Sequence, residues 1–402
     1  MKKLFILVNE TSFFLSHRKD IALSAMRKGF DVTLIANDTG QADEIIRLGL
    51  NFVDLPINKT GLDLLQEFKT FKFLYDLIRR EQPDIVHLVG MKVILWGGLA
   101  ARLNAVPGIV SAVSGLGVLF SPEYNKGFKT VISKGVLLCM KYIHRTSKAY
   151  CIFHNTEDMD LFISRGIVDE SHCVRTMGSG IDLNLYRYKE EPVSEKIKVL
   201  FTARMVEDKG VLILIDAADS LRRQYEDRVE FLLCGGLETN PKAISKELLE
   251  SRCDGRYIQW LGRRNDVHDL LEKCHIFAFP SYYKEGLHKS CIEAVAVGRP
   301  VITCNSTGCR DTVIDGETGF LIPIKDSLSL ATRLKQLFDD SELRRRMGKE
   351  ARRFAEKNFS IETVIDAHLM IYNKMHKKNT PFRCVFFILY MAFSHKPQTK
   401  AA

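Results

Sequence analysis

The chain of 402 residues lacks a run of about twenty apolar residues, so the sequence predicts no membrane-spanning helix. The apolar stretch CVFFILYMAF at residues 384–393 is too short to cross a bilayer. The N-terminal apolar run at residues 4–8 is shorter still, and no small-residue cleavage site follows it. This run therefore predicts a buried parallel strand rather than a signal peptide.

The ten cysteines include no C-x-x-C pair, and no histidine or further thiol stands at ligand spacing from Cys304 and Cys309. Free thiols in a reducing cytoplasm are therefore expected, rather than a disulfide framework or a zinc site. The net charge of +9 suits nucleic acid, an anionic membrane or a phosphorylated substrate. No helix-turn-helix, zinc-finger or RNA-binding motif is present, so nucleic acid is the weakest of these three partners.

Strand-like and helix-like segments alternate along the whole chain, which is typical of parallel, doubly wound α/β sheets. We predict strands at residues 4–8, 32–36, 52–55, 85–89, 109–113, 150–153, 173–177, 198–202, 229–234, 257–261, 276–279, 301–303 and 319–323. Predicted helices cover residues 17–28, 43–48, 62–80, 93–103 and 211–223, a basic stretch from Tyr124 to about Arg145, and most of 327–371.

The length and the apolar content of 46% fit two domains with full cores. The segment RYKEEPVSEK at residues 187–196 is polar, contains a proline and has no periodicity, so it predicts a linker. We therefore predict an N-terminal domain over residues 1–186 and a second domain over residues 197–365. Residues 366–402 would form a final helix and a basic, partly apolar tail.

Two carboxylates stand eight positions apart: Glu285 beside Gly286, and Glu293 inside the apolar helix-like run 290–297. Eight residues are a little over two helical turns, so both can point towards one face. A helix that starts just after Glu285 would present free amides, which form an anion site. Carboxylates accept hydrogen bonds from sugar hydroxyls and amides hold phosphate, so the pair suits a ligand that carries both groups.

This helix is followed by Gly298-Arg299-Pro300, an apolar strand, a second glycine turn and the segment GFLIP. That order closely resembles the retaining glycosyltransferases of family 4. The resemblance implies the GT-B fold, in which two Rossmann-like doubly wound domains face a cleft and the last helix crosses back onto the first domain. It also implies transfer of a sugar from a nucleotide-diphosphate donor, expected to be UDP-linked, to a lipid-linked or polysaccharide acceptor in surface-glycan synthesis.

The resemblance also implies roles for the residues of the glutamate motif. Glu285, Gly286 and Leu287 would meet the donor sugar and the distal phosphate. Glu293 would accept hydrogen bonds from the ribose hydroxyls.

Basic residues follow two predicted strands of the second domain. In FTARMVEDKG, Arg204 and Lys209 match the R-x4-K-G pattern of the family's diphosphate-binding segment, and a guanidinium fork with a point charge suits a diphosphate. Arg263, in WLGRRNDV, lies where the family's base-binding loop falls. The alternative for these residues is an ordinary solvated loop.

The first domain carries the segment SFFLSHR at residues 12–18, between the first strand and the first predicted helix. This string resembles the capsule and O-antigen branch of the family, although many members have a Gly-Gly loop here. His17 is expected to contact the acceptor or a phosphate, with a structural role near a helix start as the alternative.

A second departure follows the strand at residues 109–113, where some relatives carry a histidine and this chain has Ser114 and Gly115. Backbone carbonyls or Ser114 are expected to serve instead. Gly115 and Gly117 would let the backbone approach the acceptor or the diphosphate closely.

Asp158 and Asp160 spell D-x-D, the metal motif of a different glycosyltransferase fold. They lie at a predicted helix start, where acidic residues complement the helix dipole, so we expect capping. A diphosphate held by Arg204, Lys209 and helix amides needs no metal, and no cofactor is expected. The expected mechanism resembles front-face displacement, in which the leaving oxygen takes the proton of the acceptor.

Two alternatives stay open. A UDP-sugar 2-epimerase shares the fold but would need acid–base carboxylates and histidines in the cleft. A non-catalytic nucleotide-sugar-binding protein would have no chemical use for two glutamates and the Arg204–Lys209 pair.

Residues 125–148 alternate basic and apolar side chains, as interfacial amphipathic helices do. Residues 66–80 add a second basic and aromatic face, and the apolar tail at 384–393 follows Lys377, Lys378 and Arg383. We therefore expect peripheral attachment to the anionic inner face of the cytoplasmic membrane. Packing of the apolar faces on the sheet is the alternative, and it stays open for residues 66–80.

Overall fold

The computed structural model describes residues 1–57, 64–115, 128–240, 242–283 and 286–375. Glu285, Gly117 and the tail at 384–393 therefore lie outside the described residues. The nine cysteines within them are free thiols. No helix among the described residues is long and apolar enough to cross a membrane.

The first half of the chain builds a parallel sheet of seven strands in the order β3-β2-β1-β4-β5-β6-β7. Its strands are β1 (Lys2–Glu10), β2 (Phe30–Asn37), β3 (Asn51–Asp54), β4 (Ile85–Val89), β5 (Gly108–Val113), β6 (Ala149–Phe153) and β7 (Cys173–Arg175). In β1, Leu4 and Ile6 face one core while Phe5 and Leu7 face another. Both faces are thus covered, which explains why this strand reads as a continuous apolar run.

The α-helices in the described residues of this half are α1 (Thr11–His17), α2 (Lys19–Arg27), α3 (Ala42–Arg47), α4 (Leu64–Glu81), α5 (Met91–Leu103), α6 (Phe128–His144) and α7 (Thr156–Ser164). Helices α4 to α7 contribute to the core on one face of the sheet. Helices α1 to α3 contribute to the core on the other face.

The second half builds a sheet of six parallel strands in the order β10-β9-β8-β11-β12-β13. The strands are β8 (Ile197–Thr202), β9 (Val229–Cys234), β10 (Ile258–Gly262), β11 (Ile276–Phe279), β12 (Val301–Cys304) and β13 (Gly319–Ile322). The helices are α8 (Val211–Tyr225), α9 (Lys246–Arg252), α10 (Val267–Lys273), α11 (Lys289–Val297), α12 (Ser327–Asp339), α13 (Ser341–Asn358) and α14 (Ile361–Lys374).

The last helix, α14, packs on the first sheet although it follows the second one. Its Tyr372 hydroxyl lies 2.6 Å from Nδ1 of His87 in β4. Val364 and Leu369 of α14 join the core formed with α1, α2 and α3. The two Rossmann-like halves and the crossing helix confirm the predicted GT-B architecture.

Every predicted strand is present, with ends shifted by at most two residues. The segment at residues 12–18, for which no helix was predicted before His17, lies largely in α1, and the predicted helix 17–28 is split at Arg18. Phe14 of α1 is buried in the core, so tertiary packing stabilises a helix that has no side-chain N-cap. Helices α9 and α10, of seven residues each, were not predicted from the sequence.

The segment 187–196 contains no helix or strand and leads into β8. It is held by Arg299, whose side chain is 1% exposed. The guanidinium donates to the carbonyls of Lys189 at 2.9 Å, Leu271 at 2.9 Å and Glu272 at 3.0 Å. The GRP motif after α11 therefore fastens this segment to the second sheet.

We expect Arg299→Met to lower the free energy of unfolding by about 3 kcal/mol, because several buried carbonyls lose their donor. Arg346→Met is the matched control, since Arg346 is exposed on α13. It should change the free energy by about 0.5 kcal/mol or less. Denaturant unfolding measures both, and equal stabilities of the two variants would contradict the structural role of Arg299.

Candidate active site

The two halves touch at a junction formed by segments that follow β5 and β11. The Gly286 amide donates to the Ser114 carbonyl at 3.0 Å. A Cβ on Gly286 would lie 2.9 Å from Nδ1 of His154 and 3.1 Å from the Ser114 oxygen. Only glycine fits this contact. The Gly286 amide, which we expected to meet the donor phosphate, donates instead to a carbonyl of the first half in this structure.

Charged side chains extend this junction on either side. Arg175 lies 3.5 Å from Asp311, and Glu157 lies 3.3 Å from Arg310. Lys289 at the start of α11 donates to the Ser16 carbonyl in α1. The first half therefore contributes α1, α7 and β7 to the contact.

Helix α11 begins at Lys289, with His288 as its N-cap, later than the predicted start just after Glu285. Gly286, Leu287 and His288 form a bend instead, and the His288 amide donates to the Gly308 carbonyl at 3.3 Å. The Leu287 side chain packs against Gly178, where a built Cβ would lie 3.0 Å from the leucine Cβ. The amides of the first turn thus come from Lys289 and the residues that follow it.

Glu293 lies on α11 and is largely buried. The Tyr186 hydroxyl donates to its Oε1 at 2.9 Å, and Nζ of Lys289 lies 4.0 Å away. Burial raises the pKa of Glu293, and Lys289 and the Tyr186 hydrogen bond oppose that shift. Tyr186 is itself held against the His268 ring, with centroids 5.1 Å apart. No motif pointed to Tyr186, because it precedes the linker and meets Glu293 only through the fold.

Lys209 ends a 3-10 turn, Glu207–Lys209, that follows β8. It is only 6% exposed, and its Nζ lies 4.9 Å from the Tyr283 ring centroid and 5.7 Å from that of Phe279. The next residue, Gly210, has φ +81 and passes so close to Pro280 that a Cβ would lie 2.1 Å from its carbonyl oxygen. The K-G pair therefore brings a buried lysine beside the segment that leads to Gly286, and Lys209 is not a solvated loop residue.

Arg204 and Arg263 lie on the surface of the same edge. Nη1 of Arg204 lies 3.8 Å from Glu238, and both side chains are partly exposed. Arg263 follows β10 and lies beside Gly236, where a built Cβ would be 3.5 Å from the arginine Cβ. Its neighbour Arg264 is instead held by Asp266, with Nε donating to Oδ1 at 2.8 Å.

On the first-domain side, His17 lies at the C-terminal end of α1. Its ring stacks on Phe13 with centroids 4.3 Å apart, and its Nδ1 lies 2.6 Å from the Ser16 hydroxyl. Ser114 reaches the junction through its carbonyl, and Gly115 has φ +136, which suits glycine. Gly117 and Glu285 are not among the described residues.

Arg18 and His154 form a buried pair that sequence reasoning missed. They are 1% and 5% exposed, and Nη2 of Arg18 lies 3.4 Å from Nε2 of His154. Arg18 also donates to the His17 carbonyl at 2.9 Å. Burial and the Arg18 charge hold the pKa of His154 well below its usual value, and burial lowers the pKa of Arg18 to about 10. The available signal was the position of His154 directly after the predicted strand 150–153.

The aspartates of the D-x-D motif do not converge. Asn155 caps α7 by accepting from the Asp158 amide at 2.8 Å, and its own amide group donates to the Asp158 carboxylate at 3.0 Å. Asp158 is buried and Asp160 is exposed. Asp158 thus belongs to a helix-capping arrangement in which Asn155 is the N-cap.

Two family models match the chain. Residues 3–147 match the model described as "Glycosyl transferase 4-like", and residues 184–354 match "Glycosyl transferases group 1". The second match begins just before the linker, and the gap between the two matches contains β6 and β7, the last two strands of the first sheet.

Curated relatives match over most of their length. The chain is 26% identical to the N,N'-diacetylbacillosaminyl-diphospho-undecaprenol alpha-1,3-N-acetylgalactosaminyltransferase of Campylobacter jejuni, over 86% of this chain and 92% of the relative. It is 27% identical to the UDP-Gal:alpha-D-GlcNAc-diphosphoundecaprenol alpha-1,3-galactosyltransferase of Escherichia coli, over 86% of this chain and 89% of the relative.

The fold is also found among solved structures. The Anabaena protein HepE, solved in complex with UDP, superposes with a TM-score of 0.74 at 20% identity, over 93% of this chain and 100% of HepE. Matching family models in both halves, named relatives over most of the chain and the GT-B architecture agree. The chain therefore belongs to the family 4 glycosyltransferases and is a glycosyltransferase.

Proposed function

We propose that this glycosyltransferase moves a sugar, with retention, from a UDP-linked donor to a lipid-linked acceptor that carries a diphosphate. The names of two relatives support the acceptor, since both act on sugars linked to diphospho-undecaprenol. The name of one of them, and the ligand of HepE, support UDP as the nucleotide. Products of this kind are intermediates of surface glycans such as capsule and O-antigen.

One observation carries the proposal: the buried Lys209 and the first turn of α11 both lie near the junction where Gly286 meets Ser114 of the first domain. Lys209 contacts Tyr283, which is only a few residues before Gly286. Parallel sheets bind ligands at the carboxyl ends of their strands, and both β8 and β11 end here. A diphosphate at this edge would meet Lys209, Arg204 and the positive end of α11.

The other contacts to the UDP-sugar follow from placing its diphosphate at the carboxyl ends of β8 and β11. Glu293 receives a hydrogen bond from Tyr186 on Oε1, and we assign its carboxylate to the ribose hydroxyls. Arg263 extends beyond β10, where the base would lie. Glu285, Gly286 and Leu287 would meet the transferred sugar and the distal phosphate. The Gly286 amide can do so once its hydrogen bond to Ser114 is exchanged for one to the donor.

The chemistry we propose is a front-face displacement. The bond between the sugar and the distal phosphate oxygen breaks while the acceptor hydroxyl oxygen bonds to the same face of the sugar. The leaving oxygen takes the acceptor's proton, so the protein needs no strong base. Arg204, Lys209 and α11 stabilise the negative charge that grows on the diphosphate, and no metal is required for this. His17, Ser114, Gly115 and Gly117 would form the acceptor side.

The alternative functions predict different outcomes. A 2-epimerase would invert C2 of the donor sugar, and a non-catalytic binding protein would neither transfer nor hydrolyse it. The family models that match describe glycosyl transferases, which favours transfer.

The proposal is tested by incubating the protein with a panel of UDP-sugars and lipid-diphosphate-linked acceptors. We expect a product with retained anomeric configuration and full turnover in the presence of a chelator. Glu285→Ala should reduce turnover on the order of a hundredfold, about 3 kcal/mol, because its carboxylate would contact the sugar in the transition state. Mass spectrometry and NMR of the products measure both.

Three results would contradict this. An altered C2 configuration would establish an epimerase. Activity that is lost in chelator and restored by manganese or magnesium would revive a metal role for Asp158. Near-normal turnover of Glu285→Ala would refute the donor-site assignment.

We expect Arg204→Met and Lys209→Met each to weaken UDP binding about tenfold or more, because each removes a positive charge from the diphosphate site. Arg264→Met is the matched control, since Asp266 already holds that side chain. Titration calorimetry measures the affinities. Unchanged UDP affinity in both single variants would show that the cleft is misplaced.

We also propose that the first domain attaches to an anionic membrane. Most of the apolar face of α6 packs inward, since Met140 and Ile143 are buried and Val136 and Leu137 contact the core. Leu138 is nevertheless 67% exposed, and on α4 Phe68 is 62% exposed. For residues 66–80, Leu74, Leu77 and Ile78 pack on the sheet.

Basic side chains surround these apolar ones. Lys69, Lys72, Lys134 and Arg145 are exposed on or beside α4 and α6, and both helices pack against α5. The exposed faces of α4 and α6 therefore form one surface of the first domain that carries both basic and apolar side chains. Helices that bind at membrane surfaces have the same composition.

Liposome flotation tests this surface. The protein should float with anionic vesicles and less so at high salt, because each basic side chain near an anionic leaflet contributes about 1 kcal/mol. Charge reversal at Lys134 and Lys141 should release it, whereas reversal at Lys246 and Lys349, exposed on the second domain, should not. Equal partitioning onto neutral and anionic vesicles, or no binding to either, would contradict the proposal.

A further inference from the structure

We propose that His154 donates a hydrogen bond from Nδ1 to the transferred sugar, and that Arg18 positions it to do so. The inference rests on the proposed function, because it assigns a first-domain residue to the sugar end of that donor. Neither His154 nor Arg18 is part of the glutamate motif or the basic pair.

His154 lies at the junction of the two halves. It directly follows β6, and its Nδ1 borders Gly286, where a Cβ would lie only 2.9 Å away. Gly286 is the first described residue after Glu285, so His154 faces the segment to which we assign the donor sugar. This ring nitrogen therefore borders the place where we expect donor and acceptor to meet.

Arg18 determines which nitrogen of His154 carries the proton. A guanidinium has only donors, so Nε2 of His154, 3.4 Å from Nη2 of Arg18, must be the acceptor. In the neutral ring the proton then resides on Nδ1, the nitrogen that borders Gly286. A second proton would place two positive charges side by side in a buried site, which is unfavourable. His154 is thus a neutral donor and not a base.

Arg18 is fixed by its surroundings and not by a carboxylate. It stands between α1 and α2 and donates to the His17 carbonyl at 2.9 Å. Among the described residues no carboxylate forms an ion pair with it. Nε of Arg18 is buried and has no hydrogen-bond partner within the part of the chain that the structure describes. A guanidinium buried without a counter-ion is costly, which is hard to explain by stability alone.

The crossing helix closes the other side of this pair. His368 and Tyr372 of α14 pack with His87 of β4, with the His87 and His368 centroids 5.3 Å apart. The electrostatic neighbours of His154 are Arg18, His368 and His17, and burial lowers the pKa of His368 to about 3. The cluster of His87, His154 and His368 is therefore neutral around one guanidinium, and His368 and Tyr372 of α14 are electrostatic neighbours of Arg18.

A neutral imidazole that donates a hydrogen bond at the junction fits the reaction that we propose. The leaving oxygen must accept the acceptor's proton, so a basic imidazole beside it would compete for that proton. A hydrogen bond to a sugar hydroxyl instead orients the sugar for attack on one face. The same bond would discriminate between donor sugars, because a buried donor left unpaired is unfavourable.

The test compares His154→Gln with His154→Met in the full-length chain. The two replacements have nearly the same length and shape, but only glutamine can donate a hydrogen bond. We expect His154→Met to lower kcat at least about tenfold and His154→Gln to recover most of that loss. Both should bind UDP within about twofold of wild type, because UDP lies on the second domain. His154→Leu replaces the methionine variant if the latter does not fold.

A double-mutant cycle tests the role of Arg18. Arg18→Met should slow transfer, and combining it with His154→Met should add little, because Arg18 acts through His154. Additive losses would contradict that part of the inference. Equal kcat in the glutamine and methionine variants, or a loss of UDP affinity that parallels the loss of transfer, would overturn the role of His154. An inactive wild type with every donor and acceptor would instead contradict the proposed function.

Discussion

The hydrogen bond from the Gly286 amide to the Ser114 carbonyl is the contact on which the geometry of the site depends. It joins the backbones of the two halves directly, so the distance between the two walls does not vary with side-chain rotamers. It also requires glycine, because His154 and Ser114 occupy the space of a Cβ. One such bond has a net strength of only about 1 kcal/mol, so a donor phosphate can replace Ser114 as its acceptor without disrupting either sheet.

Three buried arginines differ in how their guanidinium groups are partnered, and the difference indicates which of them supports the fold. Arg299 is surrounded by carbonyl acceptors, and Arg344 forms an ion pair with Glu191 at 2.7 Å. Both fasten the linker to the second domain: each nitrogen of the Arg299 guanidinium has a carbonyl acceptor, and the charge of Arg344 is paired with Glu191. Arg18 is equally buried, but its recorded partners are one carbonyl and one imidazole nitrogen. Arg299 and Arg344 therefore support the fold, whereas Arg18 acts on its neighbour His154 at the junction.

The central strands were predicted well because they are short, apolar on both faces and bounded by polar or glycine-containing turns. The helix at residues 11–17 was missed because burial of Phe14, and not a cap or a periodic pattern, stabilises it. Within the site, motif spacing pointed to Lys209 and Glu293, both of which the structure largely buries, and their binding roles stay predictions. Tyr186 and His154 could not be found in this way, because their partners Glu293 and Arg18 are more than a hundred positions away in sequence.

The two walls of the junction differ in electrostatics, and that difference constrains the chemistry. In the proposed site the second domain would present Lys209, Arg204 and the positive end of α11 to a departing diphosphate. The first domain brings the Ser114 carbonyl and His154 to the junction, and burial and the Arg18 charge hold the pKa of His154 well below its usual value. A reaction in which the leaving group itself removes the acceptor's proton needs this division. A competing base on the first domain would slow this reaction, because it would take the acceptor's proton from the leaving oxygen. Such a base would also bring little benefit, since the acceptor proton and the leaving oxygen lie on the same face of the sugar.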